Sequence, residues 1–297
     1  MTTSAAHLNR IRQCFPEMVF SEIQIDTDGL NNYVLILNNE RVFRFPKNEQ
    51  ASNALEKEAA VLRLLQPRCT LPIPNFDTYE EDFVSYRLIP GRALLLEDLQ
   101  ALPAPRQDAL AEQLATFLRQ MHSTPLEEVR AAGIGESDAA RRPVAWLRLY
   151  EEVRRELYPL MLTHTRQWIE RLFAPLLADP SWMTGETALI NGDIGPYHIL
   201  YDEQQQTIQG IIDFGTAGLG DPARDYAVLL YNYGESFLHR MARFNSHIAA
   251  CLQRARFLAA TIELQWALTG IRSKDPSWFL LHFSSARDRL PLHFTWA

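Results

Sequence analysis

Cysteine is scarce in this sequence. Cys14, Cys69 and Cys251 are the only three in 297 residues, and no two of them form a C-x-x-C pair. That pattern excludes a zinc ribbon or a disulfide framework and predicts three reduced thiols. Long apolar runs are missing too: nothing approaches the roughly 18 consecutive apolar residues that a membrane-spanning helix needs. Met1 to Arg12 holds no apolar stretch of the kind that opens a secretory leader, so a cytoplasmic protein with no membrane partner is expected. There is no internal repeat, no low-complexity tract and no Walker A sequence. Positive charge is in the minority, with 29 basic against 36 acidic residues and a net of −7. A nucleic-acid partner is not expected, because a phosphate backbone calls for a basic face.

What is present suffices for a large folded chain. Hydrophobic residues make up 47% and charged residues 22%, ordinary for a protein that buries a sizeable core. Leu8, Ile11 and Phe15 stand at helical spacing before Pro16. From Ser21 to Tyr86 the chain reads mostly as strands. Tyr33–Leu37 and Arg41–Phe45 flank a turn at Asn38–Glu40, and a helix carries Ala54, Leu55, Val61, Leu62 and Leu65. A strand from Asp82 to Ile89 ends at Pro90-Gly91. Beyond it come long helices over 107–122, 143–158 and 164–177. Short strands at 188–191 and 208–213 interrupt them, and helix resumes from Pro222. This predicts an α+β chain of two lobes, 1–90 and 91–297, with the active site in the crevice between them.

The chemistry concentrates in Leu189-Ile190-Asn191-Gly192-Asp193-Ile194-Gly195-Pro196-Tyr197-His198 and in Ile211-Ile212-Asp213-Phe214-Gly215. Each is an apolar strand ending in a carboxylate. Phosphoryl transfer needs a carboxylate to orient the attacking hydroxyl, hard ligands for Mg²⁺ and a cation on the phosphates. Asp193 suits the first role and Asp213 the second. His198, five residues after Asp193, can turn back toward the same metal, although imidazole is a less usual Mg²⁺ ligand than oxygen. Gly218-Leu219-Gly220-Asp221-Pro222-Ala223 fits the letters of a dinucleotide fingerprint, but Asp221 would sit against a pyrophosphate and no strand–helix alternation follows. Asp221 before Pro222 reads instead as a helix cap.

These segments resemble the H-x-D-x-x-x-x-[NH] and I-D-[FW]-G-x-A-x-x-x-D-P motifs of the aminoglycoside phosphotransferase family, distant relatives of protein kinases. Val42-Phe43-Arg44-Phe45-Pro46-Lys47 is similar to the family's strand whose cation reaches the phosphates, and Glu58 lies where its ion-pair partner would stand. Lys47 is the alternative cation. Arg87 to Gly91 resembles the hinge, so Leu88, Ile89 and Pro90 are expected to hold the base of ATP or GTP. His at position 198 resembles the 2''-phosphotransferases and the macrolide kinases. Two positions depart from the pattern: Asn191 replaces the motif His, and Arg44 replaces Lys. The resemblance implies a protein-kinase-like bilobal fold and residues 1–90 as the nucleotide-binding lobe. It also implies Mg²⁺ as cofactor and a monomeric, antibiotic-resistance kinase acting on an aminoglycoside hydroxyl. A macrolide or small-metabolite kinase of the same fold, and a nucleotide-binding pseudokinase, are the alternatives.

The acceptor is expected against the helices from residue 225 onward, where Asp225, Glu235, Glu263 and Asp275 are candidate contacts for amino groups. Asp225 also reads as a brace for the catalytic loop. Five acids and eight bases in this stretch leave it net positive by three charges, unusual for a polycation's site. Trp266, Trp278, Phe257 and Phe279 offer an apolar alternative.

Overall fold

The computed structural model describes residues 3–27 and 31–275. The expectations placed on Trp278 and Phe279 therefore lie outside the described residues. The N-terminal part is a five-stranded antiparallel sheet in the order β1-β2-β3-β5-β4. Its strands are β1 (Ile23–Asp26), β2 (Asn32–Leu37), β3 (Arg41–Pro46), β4 (Thr78–Tyr79) and β5 (Val84–Arg87). Between β2 and β3 the chain turns in three residues. Asn38 and Asn39 both take left-handed φ there, 57° and 50°, which asparagine tolerates better than most residues. The strand expected over 82–89 spans Val84 to Arg87; β3 begins at Arg41 opposite its end, and one further backbone bond joins the Leu88 amide to the Glu40 carbonyl at 2.7 Å. Helix α1 (Thr3–Cys14) lays Leu8 and Ile11 against Leu35, Phe43, Phe45 and Phe83. Helix α2 (Glu49–Leu65) opens at Asn48, whose Oδ1 accepts the Ala51 amide at 2.9 Å. Its buried stripe includes Leu55, Ala59 and Leu62, and also Glu58.

Beyond β5 the chain leaves this sheet. Strand β6 (Arg92–Ala93) leaves the first sheet and pairs with β8 (Ile199–Asp202), which pairs with β9 (Thr207–Ile211). Strand β7 (Ala188–Ile190) pairs with β10 (Gly218–Gly220). Among the described residues eight helices surround these ribbons: α3 (Leu96–Ala101), α4 (Ala104–His122), α5 (Leu126–Ala131), α6 (Pro143–Glu156), α7 (Thr163–Ala178), α8 (Ala223–Tyr233), α9 (Glu235–Ala242) and α10 (His247–Arg272). Phe257 of α10 does not face an acceptor. It is 2% exposed and receives Trp146, Phe173 and Trp182 edge-on, with ring centroids 5.7, 5.2 and 5.7 Å away. It is core, and Trp266 is left as the exposed aromatic of the expected apolar set.

Candidate active site

Strands of two different sheets, β7 and β9, deliver the two carboxylates from the loops that follow them. After β7 the loop runs through Asn191, Gly192 and Asp193; after β9 it runs through Ile212 and Asp213. The first turn of α8 grips the earlier loop by its backbone. Asp225 accepts the Gly192 amide on Oδ1 at 2.7 Å and the Asn191 amide on Oδ2 at 3.1 Å. Arg224 Nε donates to the Gly192 carbonyl at 2.9 Å. Gly192 itself has φ +86°, and a Cβ there would stand 2.8 Å from Ala139 Cβ, so both backbone and space require glycine.

Asn191 joins the two loops. Its Oδ1 accepts the Asp193 amide at 3.0 Å, and its Nδ2 donates to the Asp213 carbonyl at 3.0 Å. Thr216 Oγ1 adds a bond to the Asn191 carbonyl at 2.7 Å. Asp213 has φ +62°, an uncommon conformation for a non-glycine residue, and the Asn191 amide holds it there. Asparagine thus supplies a donor to one loop and an acceptor to the other, both from one fully buried side chain.

The imidazole completes the set. His198 Nδ1 lies 2.6 Å from the Asp193 carbonyl oxygen. A carbonyl can only accept, so Nδ1 carries the proton, and in the neutral ring Nε2 presents a lone pair. That lone pair faces Asp213 Oδ2 at 3.5 Å. Two acceptors aimed at one another fit a cation between them. A carboxylate and an imidazole make only two protein donors, which matches Mg²⁺ held by few side chains with phosphate oxygens and water in the other positions. Among the described residues no group of three or more His, Cys, Asp or Glu side chains is gathered for a dedicated metal cage.

Arg44 closes the site from β3. Its Nη1 bonds Glu58 Oε1 at 2.8 Å, and the same oxygen accepts the Phe214 amide at 3.3 Å. Glu58 is fully buried, and its Oε2 has no partner among the described residues. Burial works against the Arg44 charge, but Glu58, Tyr86 and Asp213 together outweigh it and hold the guanidinium pKa above its ordinary value. Burial beside this pair pushes the Tyr86 hydroxyl up to about 12. Arg44, Glu58, Tyr86, Asp193, His198 and Asp213 all line one cleft of about 850 Å³. Lys47 does not line it; its Nζ bonds the Thr27 carbonyl at 2.8 Å.

Other expected residues are placed differently. Leu88, Ile89 and Pro90 line an adjoining hollow with Pro72, Ile73 and Gln209 instead of the cleft itself. Asp225 is not an acceptor contact: it is 0% exposed and spends its carboxylate on two loop amides and on His122 Nε2 at 2.8 Å. Glu235 is held by Arg256, with Nε at 3.0 Å, and faces His239 at 3.6 Å. Glu263 sits half-buried on α10, near enough to Tyr231 to raise its pKa, though less than burial does. Asp275 is exposed just past α10. The structure also brings forward residues that pattern reading passed over. Tyr86 was one more apolar position of a strand, and Arg224 a variable letter inside a motif. Both owe their roles to long-range packing that leaves no local trace.

The chain is similar to known proteins in sequence and in overall fold. The viomycin phosphotransferase of Streptomyces vinaceus is 29% identical over 252 residues, 81% of this chain and 85% of that protein. The structure of the GDP and kanamycin complex of APH(2'')-IIIa superposes with a TM-score of 0.81 at 28% identity, over 93% of this chain and 95% of that one. Macrolide 2'-phosphotransferase type I, at 21% identity, has the same fold with a TM-score of 0.73, over 97% and 99% of the two chains. The bilobal, protein-kinase-like α+β fold expected from sequence is the fold of this chain. A model of the phosphotransferase enzyme family matches residues 21–258, from just ahead of β1 to the middle of α10, and the chain accordingly belongs to that family.

Proposed function

We propose that the chain transfers the γ-phosphate of ATP or GTP to a hydroxyl of an aminoglycoside and so confers resistance. The observation that carries this reading is the convergence of Asp193, His198, Asp213 and Arg44 on one cleft. Asp193, half exposed at the cleft, accepts the proton of the attacking hydroxyl and aims it. Arg44, fixed by Glu58, holds phosphate oxygens through its fork of N–H groups. Asp213 and His198 would hold Mg²⁺, which supplies charge neutralisation on the phosphates when bound. Asn191 keeps the base and the metal carboxylate in register.

A second reading has its own support. Of the four carboxylates expected to meet amino groups, Asp225 is buried and Glu235 is paired with Arg256. Large exposed rings stand at Tyr197 and Trp266, 74% and 45% exposed. That balance favours an acceptor with more apolar surface, such as a macrolide, and similarity to a viomycin phosphotransferase adds viomycin as a candidate.

Phosphate transfer from each of ATP and GTP to aminoglycosides, viomycin and macrolides decides among these. One acceptor class should turn over, and Asp193→Ala should cut that turnover by about 100-fold or more. Nucleotide binding with no transfer to any acceptor would make the chain a pseudokinase.

A further inference from the structure

Behind the catalytic loop lies a second cavity, of about 360 Å³, separate from the cleft that Asp193 lines. Its walls are the 136–142 segment, β10 and the start of α8. Trp146, Met183 and Leu258 give it an apolar floor. Four arginines line it: Arg130, Arg141, Arg142 and Arg224.

Its charges do not balance. Each carboxylate in the wall is already engaged. Asp221 pairs with Arg254 at 2.6 Å and caps α8 through the Ala223 amide at 2.9 Å. Glu136 pairs with Arg142 at 2.8 Å, and Glu186 faces His247 at 3.3 Å. Arg130, Arg141 and Arg224 make no ion pair among the described residues. Arg141 lies over the Trp146 ring at 5.3 Å. Arg224 spends only Nε, on the Gly192 carbonyl, and its two terminal nitrogens have no hydrogen-bond partner among the described residues. Burial lowers the Arg224 pKa; the Asp193 and Asp225 carboxylates oppose that, and repulsion from Arg141 adds to it. Arg130 and Arg141, unpaired in a cavity wall whose carboxylates are engaged elsewhere and set above an apolar floor, offer a socket for an oxyanion.

We propose that this cavity is a second ligand site, which takes a small molecule bearing a carboxylate or phosphate group on an apolar body. Its anionic end meets Arg130 and Arg141; its body rests on Trp146 and Leu258. This goes beyond the phosphotransfer reading and does not depend on which antibiotic is the acceptor.

The test is calorimetric titration of the full chain with phenyl phosphate, benzoate and the neutral benzyl alcohol, with the nucleotide cleft saturated by nucleotide and Mg²⁺. At least one of the two anions should bind and benzyl alcohol should not; the preferred anion tells phosphate from carboxylate. The double variant R130A/R141A should weaken that binding about tenfold or more while nucleotide affinity stays unchanged. The charge reversal R141E serves equally if the double variant folds poorly. Failure of both anions to bind would overturn the proposal. So would competition between anion and nucleotide, or undiminished binding in the folded variants.

Discussion

At position 193 the fold sets a carboxylate where crowding by the loop strips part of its water. That desolvation pushes the Asp193 carboxyl above the ordinary aspartate range, and the neighbouring His198 and Arg224 offset it only in part. A base must be ionised to accept a proton. Activity should therefore fall as pH drops through a value above about 3.9, the ordinary aspartate pKa, and the acidic limb of kcat/KM against pH reports it. The stability consequence has the opposite sense. A carboxyl whose folded pKa is raised favours folding when neutral, and its ionisation costs stability as pH climbs above the unfolded value. Asp193→Asn should then melt at the same temperature as the parent or higher at pH 7, although its turnover is lost; calorimetry checks this. Asn191 makes a contrasting case. Asn191→Ala removes a donor and an acceptor together, leaving the Asp213 carbonyl and the Asp193 amide without those bonds. A loss of about 1–3 kcal/mol is expected in urea unfolding, with a fall in kcat larger than any change in nucleotide KM.

Among the elements, α8 and α4 together set the position of the catalytic loop. His122, the last residue of α4, bonds Asp225 through Nε2 at 2.8 Å and Tyr226 through Nδ1 at 3.3 Å, and Asn245 bonds the Tyr226 hydroxyl at 3.0 Å. Asp225→Ala would leave buried loop amides and His122 without their acceptor, at a cost of about 3 kcal/mol or more by chemical denaturation. Because Asp225 braces and does not touch the acceptor, kcat should fall while the antibiotic KM stays within about twofold. Sequence alone displayed the helices with long periodic stripes, the β2–β3 turn and the two carboxylate-ended strands, because each writes its reason locally. Strands β4, β6, β8 and β10 have two to four residues each, too few for alternation to show. The role of Asp225 was ambiguous for a similar reason: burial by α4 depends on a residue 103 positions earlier. The motif told which residue types belong to the site, and packing decided which of them reach it.

Taken as a whole, the molecule is two lobes joined electrostatically across the cleft. Glu58, from the first lobe, accepts the Phe214 amide of the second, while Arg44 feels the Asp213 carboxylate as well as its own partner. Nucleotide with Mg²⁺ should fasten the halves further. At one hundred times Kd a ligand contributes about 2.7 kcal/mol, enough to raise Tm by ~5 °C in a chain of this length. Chelation of the metal should reverse most of that rise, and in Asp213→Ala the metal should add little; thermal scans with and without chelator measure both. Gly192 carries an evolutionary consequence. With no room for even a methyl group at that position, the phosphate side of the enzyme has almost no freedom to vary under selection. Exposed rings such as Tyr231 and Trp266, 38% and 45% exposed, meet no such steric limit, and a change of shape is tolerated more readily there.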